Sequence, residues 1–519
     1  MTNDEPEYAN LHTRREFLGH ARTVVGASLA LGLVPKLGMA AAEIQSARDT
    51  LHVAVTGGNG DSLDPHRTEG QISDAIRCAN LYDGLSEYQP DASVQLSLAE
   101  SFTPNANADR WTLKLRPGIK LHDGRDFVAD DVIYTIKRIL DKDHPTKGVS
   151  LISFIDPAKI SKTDDLTLVF DLPEPYGPFP NVWANSYLRM VPRDFDPAKP
   201  VGTGPFKYVS FTPGRESVFE RFDDYFREPA KIKTLVMPNI SDPSASMNAL
   251  RGKQVDLTYK VAFSEARIIA DDPDLAVLNN PATTSLPLYM RTDVEPFNDP
   301  RVRKAFRLIP NRKQMVKVAL AGYGAVGNDI QAYSIAPCGP TAVAQREQDI
   351  KAAKALLKKA GKEDLVVDLM TVNGTAGMVE CAQVFAEQAK LAGVTVNVRV
   401  LEEPAYLANY GNWIFGVDFL GDEYLQVAAN SLIPGGAFNM SHWNDERFTE
   451  LYRKAISTSD AATRCSLINQ MQAVEYEEGG NILWGFANTL NAYSKKVQGL
   501  VPYTIDSPFY HLRKLWISE

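Results

Sequence analysis

Residues 365–400, LVVDLMTVNGTAGMVECAQVFAEQAKLAGVTVNVRV, contain two strand patterns separated by one helix pattern. Leu365 to Met370 is typical of a buried strand, Gly377 to Ala392 has the apolar spacing of an amphipathic helix that ends at Gly393, and Val394 to Val400 is a second strand. Two strands joined by one helix indicate a parallel βαβ crossover, which is right-handed in nearly all proteins. The sequence therefore predicts an α/β protein.

Further helices are predicted on both sides of this unit. Asp299 is placed to cap a helix whose first residue is Pro300, where the missing N–H costs nothing. Asn311 marks a second helix start in the same way. Two more helices are predicted near residues 445–457 and 460–476 from the spacing of their apolar residues.

The region before residue 200 has mixed patterns. Trp111 to Leu115 alternates between apolar and polar residues, and after a turn at Pro117-Gly118 the alternation resumes at Ile119 and Leu121, which predicts a strand pair with one buried face. Residues 129–141 have the spacing of a helix, with acidic residues in its first turn.

Length and composition exclude several classes of protein. The 519 residues are enough for two to four domains, and 44% of them are apolar. Lys and Arg number 55 against 64 for Asp and Glu, so the net charge of −9 provides no basic excess for a nucleic acid. No apolar run is long enough to span a membrane.

The sequence contains no recognisable catalytic, cofactor or metal motif. It has no GxSxG, HExxH, CxxC or phosphate-binding loop, so we predict no catalytic residue, no cofactor and no metal site. Four cysteines in so long a chain do not form a disulfide framework, and whether any pair is oxidised remains open. Among the histidines, His442 is the best placed to face a pocket, with a structural role as the alternative.

The first 42 residues have the pattern of an export signal. Arg14 and Arg15 precede a moderately apolar run from Val24 to Val34, and small residues follow at Ala40 to Ala42. The paired arginines followed by Phe and Leu resemble a twin-arginine signal, with an amphipathic first helix as the alternative. Cleavage near Glu43 would leave a soluble periplasmic protein without a lipid anchor, exported by the twin-arginine machinery.

Seven short motifs resemble those of a known family, the peptide/nickel/opine class of ABC-transporter substrate-binding proteins. They occur in the order that the family shows: LDPH at 63–66, LYDGL at 81–85, WTLKLRPG at 111–118, LHDG at 121–124, ADDV at 129–132, GTGPF at 202–206 and DPRVRKA at 299–305. The resemblance covers nearly all of residues 48–519.

The resemblance implies a two-lobed α/β architecture of the type II periplasmic-binding-protein kind, with the ligand between lobes that close by hinge bending. Lobe one would combine 43–87 with 200–293 and 490–519, an inserted subdomain would span 88–199, and lobe two would span 294–489.

The resemblance also implies two ligand-facing segments. In peptide-binding relatives, the segment after the Asp-Pro motif pairs with an extended ligand as an added strand, and here that segment contains Gly70, Gln71, Ile72 and Ser73. The second segment lies in lobe two, where relatives carry a Trp, then an Asp and an Asp-Pro pair.

This chain has Trp413 followed by Asp418 and Asp422, without the Asp-Pro pair. Asp422 is the best match to the aspartate that holds the peptide amine in relatives, and Asp418 is the alternative. The side chains of Trp413, Tyr424, His442 and Trp443 would lie near the ligand. The alternative is that the two tryptophans and Tyr424 are ordinary core residues.

Dipeptide-binding relatives also place an arginine just before the helix at 378–392 to hold the ligand carboxylate, and residues 377–380 read GMVE. The resemblance therefore implies a ligand with an amine but without a free carboxylate nearby. We expect a monomeric receptor that delivers a peptide or peptide-like amine to an inner-membrane ABC permease. A metal-chelate, haem or opine-like ligand is the alternative, and a periplasmic enzyme is a remote one.

Overall fold

A computed structural model describes residues 49–67, 72–144, 146–331, 338, 343–421 and 423–518. The predicted export signal therefore lies outside the described residues. Among the helices that are described, none combines the length and the apolar character that crossing a bilayer requires.

The strands of the described residues are, in chain order, β1 Thr50–Ala54, β2 Ser86–Tyr88, β3 Val94–Leu96, β4 Ala99–Pro104, β5 Arg110–Leu115, β6 Ile160–Asp164, β7 Thr167–Asp171, β8 Phe206–Thr212, β9 Glu216–Arg221, β10 Thr234–Pro238, β11 Leu257–Thr258, β12 Leu275–Ser285, β13 Leu288–Met290, β14 Gly324–Val326, β15 Val366–Val372, β16 Thr395–Leu401, β17 Phe415–Val417, β18 Asn481–Ile482, β19 Gly485–Ser494, β20 Val497–Gln498 and β21 Trp516–Ile517.

The α-helices of the described residues are α1 Ile72–Leu81, α2 Ala129–Ile139, α3 Val149–Ile152, α4 Phe179–Val182, α5 Pro243–Arg251, α6 Phe263–Ala270, α7 Pro300–Leu308, α8 Arg312–Ala319, α9 Ile350–Ala360, α10 Met378–Lys390, α11 Glu403–Ala408, α12 Tyr424–Val427, α13 Glu446–Ser457 and α14 Ala461–Glu478. Short 3₁₀ segments cover Pro157–Lys159, Ser186–Leu188 and Pro508–Lys514, and a π-helical turn covers Ala428–Leu432.

The largest sheet joins strands from both ends of the chain. Its order is β12-β19-β11-β1-β10-β9-β8, and β14 also pairs with β19. β1 is parallel to both β10 and β11, whereas β19 is antiparallel to its neighbours β11 and β12. Strands that are far apart in sequence therefore form one surface, which packs on the buried residues Ile76 and Leu81 of α1.

The second sheet has the order β16-β15-β17-β13-β18 and contains the predicted βαβ unit. β15 and β16 are parallel over their whole length, from Val366 opposite Thr395 to Val372 opposite Leu401. α10 connects them and buries Cys381 and Phe385 in the core of this sheet. The predicted parallel βαβ crossover is thus confirmed. Its helix could be predicted because the spacing of the apolar residues marks the buried face of the helix.

The third sheet, with the order β4-β5-β7-β6, is antiparallel and lies within residues 99–171. The prediction that residues 119–121 pair with Trp111–Leu115 is wrong, because both edges of β5 are occupied by β4 and β7. Ile119 and Leu121 are nevertheless buried, so the alternation correctly indicated their inward direction. The helix that was predicted at residues 129–141 is α2, which covers Ala129–Ile139.

The predicted helix starts are confirmed by their capping bonds. The side chain of Asp299 accepts a hydrogen bond from the Arg301 amide, and the side chain of Asn311 accepts one from the Gln314 amide. The two predicted helices after residue 440 are α13 and α14.

The sequence left open whether any pair of cysteines is oxidised. Cys338 and Cys465 form a disulfide bond. Cys78 and Cys381 are free and buried.

Two short passages of the chain join the first and second sheets directly, and β14, which lies between β13 and β15 in the chain, also pairs with β19 of the first sheet. β12 ends at Ser285 and β13 begins at Leu288, and on the return β18 ends at Ile482 and β19 begins at Gly485. These two crossings lie earlier in the chain than the predicted lobe boundaries near 294 and 489.

Candidate functional site

A cavity of about 300 Å³ opens beside these two crossings. Its described lining combines the ends of α1 and β2, the 3₁₀ turn at Ser186–Leu188, strands β12 and β19, Gly421 after β17, and the loop at residues 503–510. The lining therefore combines two strands of the largest sheet with β2, the turn at Ser186–Leu188, a residue that follows β17 of the second sheet, and the C-terminal loop. A volume near 300 Å³ is at the small end of the range for ligand pockets.

The lining is polar and rich in tyrosine. Its members are Tyr88, Tyr187, Tyr259, Tyr503 and Tyr510, the amides and hydroxyls of Asn185, Ser186, Asn280, Thr284, Thr489, Asn491, Thr504 and Ser507, the carboxylate of Asp506, and Ile72, Gly421, Ile505 and Pro508. No lysine, arginine or histidine is among these residues.

Two asparagines on neighbouring strands form the floor of the cavity. Nδ2 of Asn280 on β12 donates to Oδ1 of Asn491 on β19 at 2.6 Å and to the Thr489 carbonyl oxygen at 3.0 Å. Nδ2 of Asn491 has no hydrogen-bond partner within the described residues, although only 1% of Asn491 is exposed. A buried donor without a partner costs about 1–3 kcal/mol, so this atom is ready to bind an acceptor.

Two tyrosines of the cavity, Tyr259 and Tyr510, have raised pKa values. Burial raises the pKa of Tyr259 to about 12. The pKa of Tyr510 is raised well above its ordinary value, first by burial and then by the negative charge of Asp506. These rings provide flat apolar faces, and their hydroxyls remain protonated donors at neutral pH.

Asp506 is the one charged group of the described lining. Its Oδ2 lies 3.2 Å from Nε2 of His511, and both side chains are largely buried. The His511 ring stacks on the Tyr503 ring, with 4.3 Å between ring centres and 9° between planes. The Tyr503 hydroxyl accepts a hydrogen bond from Nζ of Lys514 at 3.0 Å, which further fixes this arrangement.

Of the residues predicted to follow the Asp-Pro motif, Ile72 lines the cavity. Ser73 is fully buried in α1, and its hydroxyl has no partner within the described part of the chain. Gly70 and Gln71 lie outside the described residues, as does Asp422 of the second predicted segment.

Asp418, the alternative acid, does not line the cavity. It is 3% exposed at the end of β17, and its carboxylate accepts hydrogen bonds from the Tyr410 hydroxyl at 2.9 Å and from the Phe419 amide at 2.8 Å. These bonds within lobe two compensate the buried charge, so Asp418 has its counter-groups without a ligand.

The other predicted residues of this region also lie outside the described lining. Tyr424 is buried and donates to Oε2 of Glu475 at 2.8 Å, and Trp443 packs on Phe448 in the same core. Nε1 of Trp413 donates to the Tyr406 carbonyl oxygen at 3.2 Å. His442 lies 3.2 Å from Asp293 at the surface. Structural contacts therefore account for the placement of all four side chains.

Sequence reasoning did not find the tyrosines, the asparagines or Asp506. One signal was available for the floor, because asparagine is uncommon inside strands and β12 and β19 each contain two asparagines. No comparable signal marks Asp506, since an Asp-Ser-Pro sequence is ordinary in turns.

A second contact joins residues 177–181 to residues 423 and 456. The Gly177 amide donates to the Ile456 carbonyl oxygen at 2.6 Å, and Nδ2 of Asn181 donates to Oε1 of Glu423 at 3.3 Å. A smaller cavity lies here and shares Tyr88 and Asn185 with the first. We call the Gly177–Ile456 and Asn181–Glu423 pairs the bridging contact.

The described residues contain no group of three histidine, cysteine or acidic side chains that could hold a metal ion.

Comparison with known proteins assigns this architecture. The sequence profile of the bacterial extracellular solute-binding proteins, family 5 (middle region), matches residues 93–427. The glutathione-binding protein GsiB of Pectobacterium atrosepticum is 24% identical over 507 residues, covering 90% of this chain and 95% of the relative. The di/tripeptide-binding protein 2 of Pseudomonas aeruginosa is 27% identical over 489 residues, covering 85% and 90%.

A solved structure has the same fold. The crystal structure of the ABC transporter substrate-binding protein CtaP from Listeria monocytogenes superposes with a TM-score of 0.79 at 20% identity, covering 91% of this chain and 99% of that one. The fold is therefore the two-lobed type II architecture of periplasmic binding proteins, with an additional subdomain around the third sheet.

Proposed function

We propose a function for this chain, which belongs to the bacterial extracellular solute-binding proteins of family 5. The protein captures a small peptide or peptide-like amine between its lobes and delivers it to an ABC permease. The observation that carries the ligand class is the cavity floor, where the buried Nδ2 of Asn491 lacks an acceptor. Peptide bonds offer carbonyl acceptors and N–H donors at regular intervals, which suit the asparagines and hydroxyls of the lining.

The charges of the lining support a ligand without a free carboxylate. A buried carboxylate requires a fixed counter-charge, and the described lining contains neither lysine nor arginine. The small volume favours a ligand of a few residues over a long peptide. A related protein of Pseudomonas aeruginosa is named for di- and tripeptides, which agrees with this size.

The two crossings between the sheets support a hinge. We propose that the two lobes, divided at these crossings and not at the predicted boundaries near residues 294 and 489, rotate about residues 285–288 and 482–485. A ligand that contacts both lobes would stabilise the closed state in proportion to its additional contacts there.

We also propose that a monomer acts in the periplasm after export by the twin-arginine machinery. The disulfide bond between Cys338 and Cys465 supports an oxidising compartment. Replacing Arg14 and Arg15 by lysine should leave the protein in the cytoplasm, and undiminished periplasmic yield of that variant would contradict this route. No observation in the described part of the chain favours a metal chelate, haem or an opine as the ligand.

Native mass spectrometry of the protein purified from its own periplasm tests the proposed ligand class. We expect a co-purifying molecule that contains amide bonds and an amine and is released on unfolding. The same protein refolded from denaturant serves as the control without ligand. A bound polyanion, metal complex or porphyrin would contradict the proposal.

A further inference from the structure

We infer that Asp506, in the loop that precedes the C-terminal 3₁₀ segment, binds a cationic amine of the ligand and is the residue that selects for it. The inference rests on the proposed function and adds to it the residue that determines charge specificity. It places the charged anchor in the C-terminal loop of lobe one, which the resemblance did not indicate.

The first step of the argument is the charge of the cavity. Asp506 is negatively charged and lines the cavity, and no lysine, arginine or histidine is among the described lining residues. Among the described lining residues, a cation in the ligand would therefore meet one fixed counter-charge and no like charge, and the nearby cation Lys514 is bound to the Tyr503 hydroxyl. An anionic ligand would meet only repulsion at this position.

The second step is the capacity of the carboxylate. His511 contacts one oxygen, Oδ2, whereas an ionised carboxylate has two oxygens and about four acceptor positions. The stacking of His511 on Tyr503 fixes the histidine, so the pair holds the carboxylate in one orientation. A preorganised acid of this kind binds an ammonium group without first losing side-chain freedom.

The third step is the aromatic surroundings. Tyr503 and Tyr510 lie on either side of Asp506 in the sequence, and both line the cavity. The faces of tyrosine rings attract cations, with an energy of about 0.5–2 kcal/mol according to exposure, and since His511 covers one face of Tyr503, this ring has only its other face for a ligand. Carboxylate and rings together favour an organic cation over a neutral ligand of the same shape.

The experiment compares ligands that differ only in charge. Isothermal calorimetry measures the affinity of the refolded protein for trialanine amide, which has a cationic amine, and for N-acetyl-trialanine amide, which is neutral. We expect the wild type to bind the cationic form at least about tenfold more tightly. In Asp506→Asn this ratio should fall to within about threefold, with the affinity for the neutral form nearly unchanged.

Three further variants make the result specific. Asp256→Asn removes an acid that also faces a histidine, His52, at 3.6 Å but lies outside the cavity, and it should keep the wild-type ratio. Asp422→Asn tests the acid that the resemblance indicated.

Asp506→Glu keeps the charge and should retain a preference for the cation, which separates loss of charge from loss of fold. If Asp506→Asn does not fold, the decision passes to Asp506→Glu, whose displaced carboxylate should change the affinity for the cationic form alone.

The outcomes distinguish this inference from the proposed function. If both trialanine forms bind alike, or if Asp422→Asn removes the preference while Asp506→Asn keeps it, the role of Asp506 is wrong and the peptide-like ligand stands. If neither form binds, the proposed ligand class is wrong. The role of Asp506 is then tested by comparing the thermal shifts that choline and its uncharged isostere 3,3-dimethylbutan-1-ol produce. Absence of a cation preference there, or a preference that Asp506→Asn retains, overturns the inference.

Discussion

At the scale of single residues, two asparagine pairs across β12 and β19 differ in their surroundings. Asn280 and Asn491 lie in the cavity, whereas Nδ2 of Asn488 donates to Oδ1 of Asn279 at 2.7 Å on the exposed part of the same strands. One asparagine pair thus lines the cavity, whereas the other pair lies at the surface. Of these four side chains, Asn491 is the one with a buried donor that has no partner within the described residues.

We predict that Asn491→Ala weakens the binding of trialanine amide by about tenfold, because a buried hydrogen bond to a ligand carbonyl is lost. Calorimetry measures the effect. Asn488→Ala is the matched control and should bind as the wild type does. Equal affinities of the two variants would contradict the assignment of Asn491 as a ligand donor.

Glu475 is a second residue whose surroundings determine its chemistry. Burial raises its pKa from 4.5 to about 8, although the Tyr424 hydroxyl and the Gln331 amide donate to its two oxygens. The folded protein therefore binds a proton at Glu475 that the unfolded chain releases above pH 4.5. The contribution of Glu475 to stability is then greatest at low pH and is lost as the pH rises towards 8.

We predict that Glu475→Gln melts at a higher temperature than the wild type at pH 8, by about a few degrees, and that the difference becomes smaller at pH 5. Glutamine remains neutral, and its oxygen can accept from the Gln331 amide while its NH₂ group donates to the Tyr424 hydroxyl oxygen. Melting curves recorded at both pH values by circular dichroism measure this. A difference that is independent of pH would show that Glu475 is not protonated in the fold.

At the scale of elements, the loop before α4 touches the end of α13 in the bridging contact, and α4 itself touches Glu423 before α12. Gly177 is buried there, and a Cβ at this position would collide with the Thr458 carbonyl oxygen. The backbone of the inserted subdomain can approach lobe two this closely only because residue 177 has no side chain.

We predict that Gly177→Ala weakens the binding of trialanine amide by about tenfold, because the added methyl group disfavours the closed arrangement. The fold of each lobe should be unchanged by circular dichroism. Gly58→Ala is the control, since a Cβ there would meet no atom within 4 Å. Wild-type affinity in Gly177→Ala would show that the bridging contact does not contribute to closure.

The disulfide bond acts on another element, because it ties Cys338 to α14 across 127 positions. Closing so long a loop stabilises the folded state by about 2–4 kcal/mol through the unfolded chain. We predict that dithiothreitol lowers the melting temperature of the wild type, that Cys465→Ser melts equally low, and that dithiothreitol does not affect this variant. A variant as stable as the oxidised wild type would contradict a structural role.

At the scale of the whole molecule, the cavity exists because two lobes meet beside two short crossings. Residues 285–288 and 482–485 connect the first and second sheets, and the bridging contact lies farther from them. Such an arrangement permits rotation of one lobe against the other with small changes at the crossings.

We predict that the radius of gyration decreases when the protein binds the compound that co-purifies from the periplasm, because the open form must admit a ligand that the closed form buries. Small-angle X-ray scattering of the refolded and the loaded protein measures the change. In Gly177→Ala the decrease should be smaller. An unchanged radius of gyration at saturation would contradict closure by hinge bending.

The sequence by itself determined the elements whose signals are local. The βαβ unit at 365–400, α2, the capped starts of α7 and α8, and helices α13 and α14 follow from periodicity and from caps within a few residues of each element. The family resemblance depends on short motifs for the same reason, since each can be recognised without knowledge of distant contacts. The α/β class and the role as a solute receptor were predictable on these grounds.

The tertiary structure alone decided which side chains meet. Tyr88, Tyr259 and Asp506 are far apart in the sequence and line one cavity because β12, β19 and β11 lie side by side in the largest sheet and both β2 and the C-terminal loop return beside them. Asp418 and Trp443 resembled ligand-facing residues, yet their partners within lobe two come from other elements. Pairing of distant strands and burial depend on the whole chain, so no local pattern could place the cavity or separate an acid that faces it from an acid with partners inside the lobe.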